Sequence, residues 1–319
     1  MIQLVEPSRL SEPAQTPRCW ICGAGGLRLV KPGNLPDALH PEALRITDAH
    51  YGQTADIFQC ESCGFLECPN VPSVLELYEQ MNDDSYEETR AARARQARAL
   101  IDIVSRYKKA ASLLDVGAGS GILVEEALAS GFAARGVEPS GPLQATAVQR
   151  GLPVTHGVLP NSEVGGPFDV VTLIDVIEHV PDPVDLMRRI KSVMAPDGIC
   201  LVVTPDVSSV AARAMGWKWW HFRAAHIGYF NKSTLALALE TAGLRVNAIT
   251  RPTWHLPSSY LAERAFSYLP RPFRPTLPSV LDRIVVPINL YDSLLAVCGH
   301  SPQAASAPSV IQDLSAPSR

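Results

Sequence analysis

The segment Leu113-Leu-Asp-Val-Gly-Ala-Gly-Ser-Gly121 places a carboxylate two residues ahead of three glycines at alternate positions. Glycine lets the chain turn tightly and lets a ligand approach bare backbone. The apolar residues before Asp115 read as a strand. The residues from Ile122 read as a helix whose free amides and positive dipole end face the loop. Many nucleotide enzymes share that arrangement, so a dinucleotide site or a ligand-free turn is the competing reading. Two details separate the ligand classes. The glycines follow G-x-G-x-G, not the dinucleotide pattern G-x-G-x-x-G. Asp115 would repel a pyrophosphate and attract an ammonium group. Glu138 lies 19 positions after Gly119, at the end of the next apolar run, where this kind of sheet holds a ribose diol. An amino-acid cation at one end and a ribose at the other describe S-adenosylmethionine.

A second set lies at Ile174-Asp175-Val176-Ile177-Glu178-His179, where another apolar run ends. Asp175 and Val176, nearer the run, border the methionine end of that ligand. Glu178 and His179 lie further out, facing an acceptor. A histidine with an ordinary pKa of roughly 6.5 suits removal of an acceptor proton. The competing reading is a histidine that caps the turn at Pro181–Pro183. His221 and His226 are alternative bases. The aromatic run Trp217-Lys-Trp-Trp-His-Phe222 is either packing under a long loop or the wall of an acceptor site.

Cys19-x-x-Cys22 and Cys60-x-x-Cys63, each followed by glycine, form a third set. Two residues between thiolates let one turn aim both sulfurs at one ion, and two such turns close a tetrahedral zinc site. Four thiolates leave no open position, so the zinc is structural. Four buried thiols are the alternative. Cys68 is spare, and Cys200 and Cys298 fall in apolar runs where core thiols are expected.

The elements that must hold these residues alternate. Apolar runs at 112–116, 133–138, 168–174 and 199–204 predict strands of a parallel sheet, with a short strand at 152–156. Helices are predicted near 121–130, 140–150 and 182–194, with Gly131 and Gly151 at C-caps and Pro183 in a first turn. A helix at 232–242 ends at Gly243, and strands follow at 244–250 and 290–297. Ahead of them, Tyr86 to Lys109 predicts one helix with Leu100, Ile103, Val104 and Tyr107 as its buried stripe. Its Arg90, Arg93, Arg95 and Arg98 read as a solvated face or as a dock for an acidic acceptor. The whole is a doubly wound α/β pattern.

Asp115-Val-Gly-Ala-Gly-Ser-Gly121, Val137-Glu-Pro139, Phe168-Asp-Val-Val171, Ile177-Glu-His-Val180, Ala195-Pro-Asp-Gly198, Thr204-Pro205 and His226-x-x-Tyr-Phe230 occur in one order. In that order they resemble class I S-adenosylmethionine-dependent methyltransferases over roughly 85–300. The two C-x-x-C-G turns, with Tyr51-Gly52 between them, resemble the zinc-binding module ahead of deoxysugar C-methyltransferases. The resemblance implies a Rossmann-like sheet of seven strands with the last antiparallel, preceded by a small zinc-ribbon-like module. It implies Asp115, Gly117, Ala118, Gly119 and Gly121 around the methionine end, and Glu138 with Pro139 at the ribose. It also implies Gly157 to Leu159, Val158 among them, beside the adenine.

The expected division is a zinc module at 1–82, a cofactor domain at 83–250, a Pro- and aromatic-rich insertion at 251–287, a last strand at 288–300 and a disordered tail at 301–319. A net charge of -4 disfavours a nucleic-acid partner. No apolar run reaches the roughly 18–20 residues of a membrane span, and the first ten residues lack a secretory pattern. The expectation is a cytoplasmic enzyme that methylates a hydroxyl or carbon of a small-molecule or sugar-like acceptor. An N-methyltransferase and a non-catalytic S-adenosylmethionine-binding scaffold are the alternatives. The sequence leaves the oligomeric state open.

Overall fold

The computed structural model describes residues 17–36, 40–45, 51–71, 74–266 and 284–301, with Pro270, Pro275, Pro278, Val280 and Leu281. The chain ahead of Pro17, the tail from 302, and Tyr268 and Phe273 of the expected insertion lie outside the described residues.

The described chain opens on three antiparallel strands, β1 (Leu27–Lys31), β2 (Ile57–Cys60) and β3 (Leu66–Glu67). Three helices follow, α1 (Val74–Glu79), α2 (Asp84–Glu88) and α3 (Arg90–Val104). The helix expected over 86–109 is thus broken at Thr89 and ends at Val104. The Thr89 hydroxyl donates to the Tyr86 carbonyl at 3.1 Å, a local bond that competes with the helical ladder. The buried stripe is Ala92, Gln96, Ala97, Leu100, Ile101 and Val104. Tyr107, expected in that stripe, lies beyond the helix end and is 39% exposed.

Strands and helices then alternate as the glycine and proline signals require: β4 (Ser112–Val116), α4 (Ile122–Ala129), β5 (Ala133–Glu138), α5 (Gly141–Gln149), β6 (Val154–His156), β7 (Phe168–Ile174), α6 (Pro183–Val193) and β8 (Met194–Pro205). Gly131 and Gly151 take left-handed backbone, φ 86° and 74°, just past α4 and α5. The side chain of Asp182 accepts the Asp185 amide at 2.8 Å ahead of α6. β8 begins before the expected 199 because Ala195–Gly198 stays in the sheet as a bulge, the pairing jumping from Phe168↔Met194 to Val170↔Ile199.

After α7 (Val210–Met215) and the two-residue β9 (Gly228–Tyr229) come α8 (Lys232–Thr241) and β10 (Leu244–Thr250). The segment beyond it forms β11 (Trp254–Pro257) and α9 (Ser258–Phe266), and β12 (Val285–Ile288) pairs antiparallel with β11. The final strand, β13, spans Ser293–His300 and not 290–297. The Asn289 side chain accepts the Tyr291 amide at 2.9 Å, and Tyr291 has φ 54°, so a turn occupies the residues expected to open the strand.

The main sheet has the order β10-β13-β8-β7-β4-β5-β6. β13 runs antiparallel to both neighbours and the remaining contacts are parallel. Its two faces pack against α6 and α8 on one side and α3 and α4 on the other. The strand order reverses between β4 and β7, so the crevice that binds ligands in open α/β sheets lies between their carboxyl ends. The N-terminal strands form a second sheet, β1-β2-β3-β9, whose last member comes from within the larger domain. Cys19, Ile21, Cys60 and Phe65 share one apolar core with α6 and α8. The expected boundary at 82 therefore separates stretches of sequence that share a sheet and a core.

Candidate functional site

Asp115 ends β4 at the crevice, buried, and accepts the Thr172 hydroxyl at 2.7 Å. Burial pushes its carboxyl up to about 7, against that hydrogen bond. The loop after it depends on glycine: Gly117 and Gly119 have φ 77° and 55°, values that residues with a Cβ rarely adopt. A Cβ on Gly117 would lie 2.5 Å from Val176 Cγ2, and one on Gly119 would lie 3.3 Å from the Tyr86 hydroxyl. Val176 and Tyr86 thus approach the loop closely enough to use the missing side chains. Gly121 is the N-cap of α4, and Ala118 is buried beneath the loop.

Glu138, at the end of β5, is fully buried. Its Oε2 accepts the Gly119 amide at 2.8 Å and its Oε1 accepts the Ser140 amide at 2.7 Å. A carboxylate has about four lone-pair positions, so two remain for a diol. Burial pushes Glu138 up to about 7, opposed by the two backbone hydrogen bonds. Pro139 follows, its carbonyl bonded to a His156 ring nitrogen at 2.9 Å. Val158 is 44% exposed while Leu159 behind it is buried.

The half-buried Tyr86 carries no motif in the sequence. Its one available signal is its place in the helix ahead of the glycine strand. Arg93 stacks 4.0 Å over its ring. Arg90 bonds Glu87 at 3.1 Å, Ser120 at 3.2 Å, and Glu125. Arg98 pairs with Glu126 at 3.4 Å. Arg90 and Arg98 thus fasten α2 and α3 to the glycine loop and α4, while Arg95 is exposed as expected of a solvated face.

On the far side of the crevice, Asp175 follows β7 with φ 53°, and its amide donates to the Val203 carbonyl at 2.9 Å. Burial pushes its carboxyl up to about 7, with Arg93 opposing. Glu178 is buried, and its Oε2 accepts the Thr204 hydroxyl at 2.9 Å. Its Oε1 has no hydrogen-bond partner among the described residues. His179 Nδ1 lies 2.7 Å from the Ala225 carbonyl, which can only accept, so Nδ1 carries the proton. His179 Nε2 then faces Glu178 Oε1 at 4.0 Å. Burial and the nearby Arg223 push His179 down to about 4, against the Ala225 and Asp175 carbonyls. The imidazole is neutral at physiological pH, and its side chain remains 23% exposed.

The two alternative bases join this residue. His226 packs edge-on to His179 with centroids 4.8 Å apart, and His221 stacks on His226 at 5.6 Å. His221 Nε2 lies 3.7 Å from Asp292 Oδ2. The aromatic run divides: Trp219 and Phe222 are buried in the core, while the Trp220 indole donates to Asp292 at 3.0 Å beside the histidines.

The four cysteine sulfurs converge. Cys19 and Cys63 Sγ are 3.6 Å apart, as are Cys22 and Cys60, and all four lie within 4.8 Å of one another. A tetrahedral zinc with bonds of about 2.3 Å spaces its sulfurs by about 3.8 Å, so the donor set fits that ion. Cys200 and Cys298 are buried, as expected of core thiols, and the spare Cys68 is buried outside the cluster.

A family model described as a methyltransferase domain matches residues 86–249, more than half of the chain. The ubiquinone biosynthesis O-methyltransferase of Caulobacter sp. (strain K31) is 36% identical over 106 residues, 29% of this chain and 40% of that protein. The protein of the same name from Methylobacterium nodulans is 31% identical over 152 residues, 43% of this chain and 61% of that one. The chain thus spans less than two thirds of these curated relatives. A SAM-dependent methyltransferase structure from Archaeoglobus fulgidus aligns with a TM-score of 0.47 at 16% identity, over 68% of this chain and 99% of that one. No helix of the described residues is long and apolar enough to cross a membrane.

Proposed function

The chain belongs to the methyltransferase-domain family, and on that premise we propose that it methylates a hydroxyl of a small-molecule acceptor using S-adenosylmethionine. The observation that carries this reading is the Glu138 carboxylate, buried and bonded to the Gly119 amide of a left-handed glycine loop. Asp115 adds a second buried carboxylate directly ahead of those glycines, where the pyrophosphate of a dinucleotide would be repelled and an ammonium group attracted.

S-adenosylmethionine supplies, when bound, a methyl carbon made electrophilic by the sulfonium charge. Asp115, Gly117, Ala118, Gly119 and Gly121 would hold its methionine end, with Asp175 and Val176 opposite. Glu138 and Pro139 would take the ribose, and Val158 would border the adenine. Burial raises Asp115, Glu138 and Asp175 to about 7, so a cationic ligand draws them toward ionisation. His179 and Glu178 then face the acceptor. The Nε2 lone pair of His179 would take the hydroxyl proton of the acceptor, with the ring held by the Nδ1 bond to the Ala225 carbonyl. Alignment and exclusion of water supply most of the acceleration.

The names of the relatives support a hydroxyl. The paired C-x-x-C-G turns favour a second reading, transfer to a carbon of a sugar-like acceptor. We further assign one structural zinc to Cys19, Cys22, Cys60 and Cys63, which fits a reducing, cytoplasmic setting. The net charge of -4 speaks against a nucleic-acid acceptor. Labelled S-adenosylmethionine with a panel of phenols, sugars and amines tests the reading. Label on oxygen is expected. Label on nitrogen would replace it with the N-methyltransferase alternative. No turnover across the panel by cofactor-binding protein would favour a scaffold.

A further inference from the structure

Building on the reading that His179 faces the acceptor, we propose that Glu178, His179 and His226 bind one divalent cation beside the acceptor hydroxyl. The ligand atoms of these three side chains lie within 4.8 Å of one another. An ion with bonds of about 2.1 Å to nitrogen and oxygen needs its donors roughly 3–3.5 Å apart, so small side-chain rotations close the site.

Two observations point to a cation there. The first is a lone pair facing a carboxyl oxygen with no hydrogen bond between them. The Ala225 carbonyl holds the proton on His179 Nδ1, which turns the lone pair of Nε2 toward Glu178 Oε1 at 4.0 Å. An imidazole whose second nitrogen donates to a backbone carbonyl is the common outer arrangement of a metal-ligating histidine. The second is a pair of orphans. Glu178 and His226 are 1% and 6% exposed, and neither Glu178 Oε1 nor His226 Nδ1 has a hydrogen-bond partner among the described residues. Buried polar atoms left unpaired are costly, and one ion would satisfy both residues. Arg223 bears on all three histidines and opposes a second cation. Arg223 also acts on the carboxyls of Glu178 and Asp175, where it opposes the effect of burial and favours ionisation.

Two neutral imidazoles and one carboxylate suit manganese, iron(II), cobalt or zinc. With three protein ligands the ion keeps open positions for an acceptor oxygen. Bound there, the hydroxyl loses its proton to water, and the electron pair of the broken O–H bond remains on the oxygen that attacks the methyl carbon. In this arrangement His179 acts as a ligand, and its low basicity ceases to limit proton removal.

Manganese(II) titrated into protein carrying a single zinc per chain, held by the cysteine cluster, and followed by electron paramagnetic resonance tests the site, because manganese favours oxygen and nitrogen over thiolates. About one saturable manganese per chain is expected. Its affinity should fall at least tenfold in His226→Gln and in Glu178→Gln, with binding of S-adenosylhomocysteine retained as the measure of folding. If Glu178→Gln unfolds, the His226→Gln result decides. Wild-type protein that binds S-adenosylhomocysteine but no manganese overturns the cation site and leaves the methyltransferase reading standing. Manganese affinity unchanged in the folded variants overturns it as well. Manganese binding without S-adenosylhomocysteine binding supports the cation site and removes the methyl-transfer reading.

Discussion

The two sides of the crevice are built differently. On the proposed cofactor side, Asp115, the glycines and Glu138 come from one stretch, residues 115–138, and each carboxylate already holds a hydrogen bond from the protein. On the proposed acceptor side, Glu178 and His179 come from one loop and His221 and His226 from another, and two buried polar atoms have no hydrogen-bond partner among the described residues. A site whose carboxylates are satisfied by the protein is set before a ligand arrives. A site with orphaned donors and acceptors waits for one. That contrast separates a prearranged site from one that a ligand completes, and variants on each side should behave differently.

The largest effect belongs to the acceptor side. His179→Ala should cut methyl transfer by roughly 10²–10⁴-fold, the usual worth of a group that handles the proton, while cofactor affinity stays within about twofold. Equal losses in both would erase the distinction between the sides. Next in size is the cysteine cluster. Cys60→Ser should remove the zinc found by metal analysis and lower the melting temperature by about 5 °C or more. Because Cys68 donates its amide to the Ile227 carbonyl at 2.9 Å, next to His226, turnover should suffer more than cofactor binding. A metal-free variant that melts like the wild type would remove the zinc assignment.

The cofactor side should respond more modestly. Asp115→Asn and Glu138→Gln should each weaken S-adenosylhomocysteine binding by about 1–3 kcal/mol, the scale of a lost charged hydrogen bond. Unchanged affinity in both would displace the ligand from this loop. The smallest effect is a proton count. Asp115 and Glu138 are raised to about 7 from roughly 4 in the unfolded chain. Between those values the folded, ligand-free protein holds protons that the unfolded chain has lost, so their contribution to stability falls as pH rises through that window. A cationic ligand favours the ionised forms, so its binding at pH 7 should release protons, up to about one. Calorimetry in buffers of different ionisation heat measures this, and uptake would contradict the sign.

The same contrast governs what the sequence could reveal. Gly131, Gly151 and Pro183 mark helix ends by local sterics, so the alternation from β4 to β8 was legible within a few residues. The Asp115 and Glu138 assignments follow from spacing along one strand–loop–strand unit. The break at Thr89 depends on one side-chain bond that periodicity does not record. The start of β13 was displaced by the left-handed turn at Tyr291. Tyr86 approaches Gly119, and His226 meets His179 across 47 positions, only because the chain folds back. Nothing local announces either contact. β9 is two residues long, too short for any pattern, yet it joins the N-terminal sheet to the larger domain.

The central claim is that the glycine loop and Glu138 hold S-adenosylmethionine. Calorimetric titration of the purified protein with S-adenosylhomocysteine, and separately with NAD, tests it most directly. One S-adenosylhomocysteine site per chain with no measurable NAD binding is the predicted result. Tight NAD binding, or no binding of S-adenosylhomocysteine by folded protein, would contradict it.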